Sequence, residues 1–455
     1  MKKSFVLAIL ILFILQACEQ AAQDKVASAS ISLSPSVRAE ETSFNSYKSI
    51  KSVSQRKDTS AQLYLSKNED MLADPFIINY LNSKVSDYDV TDKRRGEFVK
   101  EKVANINYYE TGSRKLSQGD YVQSIEFFSK EIEKHPDNID AYYCRGLAEF
   151  ELGDNKACID DFEKVIEVNP TRYDALAKKG NAEFKMGDFK DAKQDYTASI
   201  SIKPNLESYM NRAEIKSKTS DYAGAINDYN EVITKKLLSG FEIYFKRGVV
   251  KSEFGKYNEA IEDFNKAIEL FSSYPLSYYQ KGIAEIHLKK NEEAIKDLSK
   301  AILLDPTDKE AFIGRGIAEK NLKRYKSAIS DFSKVVEMDP GLEEGYLHRA
   351  EVLGLTGDFM SAVADMDKAI EINNTSKEAY YNRGRFYLEE GSLPKAYEDF
   401  LKVIEFDPND AEAFYYKGIC EMEMKNTDKA CVSFDKAMQL GYSEADDMMR
   451  ENCDN

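Results

Sequence analysis

The residue types that build metal sites and nucleophilic sites are sparse and widely separated in this sequence. Its three histidines, His135, His287 and His348, lie far apart and have no spacing that suits a shared metal ion. None of the H-E-x-x-H, G-x-G-x-x-G, Walker or G-x-S-x-G patterns is present. We therefore expect no enzyme activity, no cofactor and no small-molecule substrate. An enzyme here would need a site assembled from scattered residues.

The overall charge narrows the range of partners. Over 455 residues the formal net charge is −16 at pH 7. A protein that binds nucleic acid needs clustered lysine and arginine to neutralise phosphates, and the sequence contains no basic patch. The same charge opposes electrostatic binding to an anionic membrane surface. We expect no nucleic-acid partner, and the charge by itself identifies no other.

One stretch, residues 142–170, shows the pattern on which most of the chain is built. It reads YYCRGLAEFELGDNKACIDDFEKVIEVNP, with Gly146 four residues after an aromatic residue, a Gly153-Asp154 turn, and a closing Pro170. Because glycine and proline end helices, we predict two amphipathic helices joined by a tight turn.

The same pattern recurs at intervals of 34 residues or multiples of it, as the prolines show at Pro136, Pro170, Pro204, Pro306, Pro340 and Pro408. The glycine of the first helix keeps the same step: Gly146, Gly180, Gly248, Gly282, Gly316, Gly384 and Gly418. In the second helix a small residue precedes an aromatic residue by four: Ala192/Tyr196, Ala225/Tyr229, Ala260/Phe264, Ala328/Phe332, Ala396/Phe400 and Ala430/Phe434.

This repeat resembles the tetratricopeptide repeat. The resemblance implies an all-α fold, a right-handed superhelical solenoid of about ten helix hairpins between residues 105 and 442, closed by a capping helix at 443–455. One hairpin buries about four or five large side chains, worth about 1.5–3 kcal/mol each. Ordering its residues costs about 1.5 kcal/mol apiece. Stacking on neighbouring hairpins must therefore stabilise each one.

The sequence departs from the family pattern at two positions. A lysine or arginine precedes the first-helix glycine, where the family usually has leucine, and an aspartate precedes the large apolar residue of the second helix. The first hairpin lacks both, having Thr111 and Phe127, and the last has Lys417 but Ser433. We predict an ion pair between the two helices of each middle hairpin; the alternative is a basic ladder that binds an anionic ligand. The paired positions are Arg145/Asp161, Lys179/Asp195, Arg212/Asp228, Arg247/Asp263, Lys281/Asp297, Arg315/Asp331, Arg349/Asp365 and Arg383/Asp399.

Proteins with this repeat generally bind segments of other proteins in a concave groove lined by the first helices. The resemblance places that groove at fourteen positions, called the groove residues below: Tyr109, Tyr143, Leu147, Met210, Phe245, Val249, Tyr279, Ile283, Ile313, Ile317, Leu347, Tyr381, Tyr415 and Ile419. They are aromatic and aliphatic rather than basic, so an extended or helical apolar segment is the expected ligand. Each position could equally serve as packing between adjacent repeats. The acidic residues that begin the first helices suit the helix dipole, which is sufficient to explain them.

The start of the chain resembles a bacterial lipoprotein signal. After Lys2-Lys3, an apolar run from Phe5 to Leu15 is too short to span a bilayer, and the sequence Leu15-Gln16-Ala17-Cys18 is similar to a lipobox. The resemblance implies a signal peptide at 1–18, a diacylglyceryl group on Cys18, and an anchor in the bacterial cell envelope, in the outer rather than the inner membrane. The alternative is an ordinary signal peptide with a chance cysteine.

Two segments separate Cys18 from the repeats. Residues 19–67 are polar and serine-rich and have no period of a helix or a strand, so we predict a disordered tether. Residues 68–104 contain Asp74-Pro75 before a short apolar face, which predicts a short helical segment.

The remaining cysteines form no C-x-x-C pair. Without Cys18 five are left, an odd number that argues against a complete disulfide framework. Cys144/Cys158 and Cys420/Cys431 each fall on the two helices of one predicted hairpin, so either pair could form a disulfide in an oxidising periplasm. We expect buried free thiols at these positions.

Two functional hypotheses of different classes follow. The first is a non-catalytic, lipid-anchored scaffold that binds protein partners of the envelope and faces the periplasm or the cell surface. The second is a structural or surface-exposed lipoprotein that binds glycan or host protein. The sequence does not identify the partner.

Overall fold

Residues 107–453, the part of the chain that the computed structural model describes, fold as α-helices without a strand among them. The predicted signal peptide, Cys18, the tether and the segment at 68–104 lie outside the described residues.

The described helices form ten consecutive hairpins and one further helix. Hairpins 1 to 5 consist of α1 (Tyr108–Ser117) and α2 (Tyr121–Lys134), α3 (Ile139–Leu152) and α4 (Asn155–Val168), α5 (Tyr173–Met186) and α6 (Phe189–Ile202), α7 (Leu206–Lys218) and α8 (Tyr222–Thr234), and α9 (Phe241–Glu253) and α10 (Tyr257–Leu270). Hairpins 6 to 10 consist of α11 (Pro275–His287) and α12 (Asn291–Leu304), α13 (Lys309–Asn321) and α14 (Tyr325–Met338), α15 (Glu343–Leu355) and α16 (Phe359–Ile372), α17 (Lys377–Glu389) and α18 (Leu393–Phe406), and α19 (Ala411–Glu423) and α20 (Thr427–Gln439). The last helix is α21 (Glu444–Asn452).

The chain divides into two compact units. The first ends at Pro170 and includes hairpins 1 and 2, and the second begins at Thr171 and includes hairpins 3 to 10 and α21. Inside each unit the second helix of a hairpin packs on the first helix of the next one, and first helices of successive hairpins touch in several places. The predicted all-α array of stacked hairpins is confirmed.

Local chemistry defines where each helix begins and ends. In hairpin 2, Gly153 adopts a left-handed backbone conformation with φ 84°, which ends α3. The carboxylate of the next residue, Asp154, accepts a hydrogen bond from the backbone N–H of Ala157 and caps α4. This Gly-Asp turn is the break that the sequence pattern predicts.

The two helices of a hairpin approach closely at the first-helix glycine. A Cβ placed on Gly316 would lie 2.7 Å from the ring of Phe332, and one on Gly146 would lie 3.0 Å from the ring of Phe162. Both rings are fully buried. The recurring glycine therefore makes room for the large side chain of the second helix.

The predicted ion pairs form in all eight middle hairpins, and we call this set the ion-pair ladder. In hairpin 2, Nε and Nη2 of Arg145 donate to the two carboxylate oxygens of Asp161 at 2.8 and 2.7 Å. The other arginine hairpins repeat this bidentate contact. In the two lysine hairpins the ammonium groups of Lys179 and Lys281 lie 2.9 and 2.8 Å from one oxygen of Asp195 and Asp297. The confirmed pairs are Arg145/Asp161, Lys179/Asp195, Arg212/Asp228, Arg247/Asp263, Lys281/Asp297, Arg315/Asp331, Arg349/Asp365 and Arg383/Asp399.

The arginines also reach the preceding hairpin. Nη1 of Arg315 donates to the hydroxyl of Ser299 at 3.0 Å, and Nη1 of Arg349 donates to Ser333 at 3.2 Å. Both serines lie on the second helix of the hairpin before. One guanidinium thus joins three helices. The ammonium group of Lys281 forms its ion pair with Asp297 inside its own hairpin. With the guanidinium donors engaged inside the fold, the structure does not support the alternative of a basic ladder for an anionic ligand.

A second buried carboxylate lies one helical turn beyond the basic residue in several hairpins. Glu149 is 9% exposed, and its Oε2 has no hydrogen-bond partner within the described residues. Burial raises the pKa of Glu149 to about 7, with the neighbouring carboxylate of Asp161 adding to the shift and Arg145 opposing it. Burial raises the pKa of Glu183 and Glu285 as well.

The C-terminal helix corrects the expectation for the cysteines. Cys431 forms a disulfide with Cys453, and their Cα atoms are 5.8 Å apart. The expected free thiol at Cys431 is therefore wrong, and neither Cys144/Cys158 nor Cys420/Cys431 is the bonded pair. The physical reason is that α21 packs on α20, which brings the end of the chain to Cys431. This contact is not visible in the spacing of residues within one hairpin.

The ion-pair ladder gives a prediction about stability. Replacing Asp331 with leucine leaves the half-buried Arg315 without its partner, and we expect a loss of about 2–3 kcal/mol in the free energy of unfolding. The double variant Arg315→Met/Asp331→Leu should recover most of this loss, because neither charge is then buried. Urea denaturation measures both values.

The control for this prediction is Glu337→Gln, which removes a carboxylate from an exposed pair with Lys334. This change should alter stability by less than about 0.5 kcal/mol. Equal losses for Asp331→Leu and Glu337→Gln would contradict a structural role for the ladder.

The buried carboxyl of Glu149 predicts a dependence of stability on pH. Its pKa is raised from 4.5 to about 7, so the folded state binds the proton more tightly than the unfolded state. The resulting stabilisation is fully present below pH 4.5 and is lost as the pH rises through 7. Glu149→Gln should reduce the loss of stability between pH 5 and pH 8 by about 2–3 kcal/mol. Denaturation at the two pH values measures it, and Glu167→Gln, at an exposed residue 63% accessible, serves as the control that should leave the pH dependence unchanged.

Candidate functional site

The groove residues all lie on first helices, as the resemblance implies. Thirteen of the fourteen are half-buried, and the exception is Ile313, which is 4% exposed and belongs to the core of hairpin 7. None of them is fully exposed. Tyr109, Tyr143 and Leu147 belong to the first unit, and the others belong to the second.

The half-buried state has a simple structural cause. Tyr143 lies with its ring centroid 5.7 Å from that of Phe162, Phe245 lies 6.1 Å from Phe264, and Tyr415 lies 5.9 Å from Phe434. In each pair the second ring is a buried residue of the second helix in the same hairpin. One side of each groove residue therefore packs on the core and the other side remains on the surface. The same side chain can therefore pack on the core with one side and contact a ligand with the other.

A polar network interrupts the apolar row at hairpins 3 and 4. Glu207 accepts hydrogen bonds from Lys178 at 2.6 Å and from Asn181 at 2.7 Å. The side-chain amide of Asn211 donates to Asn181 at 2.8 Å, and the hydroxyl of Tyr196 donates to the same oxygen at 2.8 Å. The pattern of apolar positions in the sequence does not predict this network, although Asn181 stands directly after a first-helix glycine, as Leu147, Val249 and Ile283 do.

Another polar group lies at hairpins 9 and 10. The guanidinium of Arg385 lies 5.9 Å from the ring centroid of Tyr381 and 5.7 Å from that of Tyr416. Arg385 is exposed and also stands directly after a first-helix glycine. A cation held over two aromatic faces is a second feature that an apolar pattern does not predict.

Acidic residues of later hairpins help to raise the pKa of the groove tyrosines. Burial raises the pKa of Tyr279 to about 12, with the carboxylates of Glu310, Asp308 and Glu344 contributing to the shift. For Tyr381, burial and a contact with Glu412 raise the pKa of the phenol. The carboxylates at the starts of first helices are therefore close to the groove residues of the hairpins before them.

The described residues contain no group of three or more His, Cys, Asp or Glu side chains placed to hold a metal ion. No helix between residues 107 and 453 is long and apolar enough to cross a membrane. The proposed lipid site, Cys18, lies outside this range.

Comparison with solved structures returns repeat proteins of similar kind. YrrB, whose structure is described as that of a TPR protein with an unusual peptide-binding site, is 26% identical over 42% of this chain and 99% of its own, with a TM-score of 0.37. The C-terminal part of a TPR repeat-containing protein from Cytophaga hutchinsonii is 22% identical over 53% of this chain and 98% of its own, with a TM-score of 0.45. Yeast Tom70 is 16% identical over 75% of this chain and 93% of its own, with a TM-score of 0.36. No curated protein sequence matches the chain.

The family itself is established by direct sequence matches. Models described as tetratricopeptide repeat match residues 139–172, 173–206, 241–274, 276–308, 310–342, 377–410 and 412–440. Together these segments cover more than half of the sequence. Hairpin 1 lies outside the matched segments, as do hairpins 4 and 8, which have Ala213 and Ala350 in place of the glycine, yet all three fold as hairpins like the others. The chain belongs to the tetratricopeptide-repeat family.

Proposed function

We propose that this protein is a non-catalytic scaffold, anchored by lipid at Cys18 in the bacterial cell envelope, that binds segments of partner proteins along its first helices. The observation that carries the proposal is the row of half-buried apolar side chains on first helices that lie next to one another, such as Tyr279 and Ile317. Their outer sides provide apolar surface at regular spacing, which suits an extended or helical segment.

Two further features support the proposed location. The start of the chain, from Lys2 to Cys18, has the form of a lipoprotein signal. The disulfide between Cys431 and Cys453 suits an oxidising compartment outside the cytoplasm. It also fixes α21 against α20, where Ala445, Met448 and Met449 of α21 join the apolar cluster around Phe434. A terminal hairpin needs such a cover for its apolar face.

The binding surface is tested by crosslinking in living cells. A photo-crosslinking amino acid replaces Ile317 in the full chain, and we expect it to trap a specific envelope protein in stoichiometric yield. The matched control replaces Leu303, which is 71% exposed and lies on a second helix. It should trap none. The same products from both positions, or no product from Ile317 and Tyr279, would refute binding along the first helices.

The anchor is tested separately. Cys18→Ser removes the thiol that would carry the lipid, so we expect the protein to leave the membrane fraction and to lose labelling by a radioactive fatty acid. Cys420→Ser serves as the control, because its thiol is buried inside hairpin 10 and should not affect fractionation. Fatty-acid labelling that persists in Cys18→Ser would contradict the proposal.

A further inference from the structure

A row of acidic residues shares a helix face with the groove residues. In the unit that begins at Thr171, seven first helices carry groove residues, and in six of them a carboxylate stands three positions before the first one: Glu207, Glu242, Glu310, Glu344, Glu378 and Glu412. In an α-helix, residues separated by three and seven positions lie on one face. Glu310, Ile313 and Ile317 therefore face the same way, and so do Glu378, Tyr381 and Arg385.

At Glu207 a lysine of the preceding hairpin pairs with this row of carboxylates. The ammonium group of Lys178 donates to Glu207 at 2.6 Å from the first helix of the preceding hairpin. This contact shows that a carboxylate at the start of a first helix reaches across to the surface of the hairpin before it. It also shows that an ammonium group fits there.

The corresponding carboxylates farther along have no lysine or arginine partner on the preceding first helix. In place of Lys178, the preceding first helices have Gln280 opposite Glu310, Gly314 opposite Glu344 and His348 opposite Glu378, and His348 itself lies 3.4 Å from Glu344 and 4.0 Å from Glu351. Glu310, Glu344 and Glu378 are all exposed. Among the described residues, no ion pair joins Glu310 or Glu378 to a basic side chain, and Glu344 has only His348 at 3.4 Å.

The basic side chains near hairpins 7 to 9 form other contacts or lie at the end of this segment. Lys320 forms an ion pair with Glu351 at 2.7 Å. Arg385 lies over Tyr381 and Tyr416, at the junction of hairpins 9 and 10. Hairpins 7 to 9 therefore present apolar side chains beside carboxylates that have no lysine or arginine partner.

We infer that hairpins 7 to 9 bind a cationic amphipathic segment of a partner protein. Its apolar side chains pack on Ile317 and Leu347, and its lysine or arginine side chains pair with Glu310, Glu344 and Glu378 as Lys178 pairs with Glu207. The inference rests on the proposed function and specifies the chemistry of the partner. Complementary charge selects against acidic segments and speeds the encounter.

The test uses two synthetic peptides and the full chain. One peptide contains leucine and lysine at helical spacing over about 18 residues, and its twin has glutamate in place of every lysine. We expect the lysine peptide to bind at least about tenfold more tightly than its twin, and its binding to weaken as the salt concentration rises. Fluorescence anisotropy with labelled peptides measures both.

The matched variants separate the groove from the general negative charge. Glu310→Gln/Glu344→Gln/Glu378→Gln should weaken binding of the lysine peptide about tenfold, because three exposed ion pairs are lost. The control, Glu269→Gln/Glu337→Gln/Glu405→Gln, removes the same charge from second helices, where each carboxylate is paired with a lysine three residues before it. It should change affinity less than about twofold. All six residues are exposed, so circular dichroism should show unchanged folding.

Three outcomes would overturn the inference: equal binding of both peptides, equal effects of the two triple variants, or no binding of the lysine peptide. A neutral apolar peptide that binds equally well to both triple variants but is lost on Leu347→Ser would also overturn it. That result would leave the proposed function intact, because crosslinking at Ile317 tests binding along the first helices without regard to charge.

Discussion

The fold depends on an ion pair, with a half-buried basic residue and a largely buried aspartate, that is repeated between the two helices of each middle hairpin. A charge removed from water is costly unless an opposite charge and hydrogen bonds compensate for it. The two parallel bonds from Arg315 to Asp331 require one distance and one relative rotation of α13 and α14. The third donor, bound to Ser299, ties the same side chain to the hairpin before. The pair therefore fixes the geometry within a hairpin and between hairpins.

This arrangement separates the residues that fold the protein from those that face a partner. The basic residue and the glycine beside it occupy the side of the first helix that meets the second helix, where Gly316 receives the ring of Phe332. The residues at Glu310 and Ile317 lie on another face of the same helix. Because the ladder and the glycine contact hold the hairpin, the side chains on that face can vary. They do vary, from the asparagines of hairpins 3 and 4 to the isoleucines of hairpins 6 and 7.

The sequence allowed the ion-pair ladder to be predicted because the repeats act as an internal comparison. Two positions change together, since the first hairpin has neither Arg nor Asp and the last has Lys417 with Ser433. The polar network of Glu207, Lys178 and Asn181 had no such signal, because it occurs once and joins residues of different hairpins. The burial of the Glu149 carboxyl could not be predicted from the sequence, for a different reason. A glutamate on an amphipathic helix is normally exposed, and the burial of Glu149 arises only from tertiary packing.

The sequence by itself determined the hairpins, their number and the pairing of charges, since these follow from the period of glycine, proline and apolar residues along one chain. Only the tertiary structure decided which side of each groove residue packs on the core, which two cysteines form the disulfide, and which carboxylates are buried. Those outcomes depend on distances between different hairpins, and such distances are set by packing rather than by local spacing. Ile313 and Ile317 illustrate the difference: their sequence signal is the same, but one is buried and the other is half-buried.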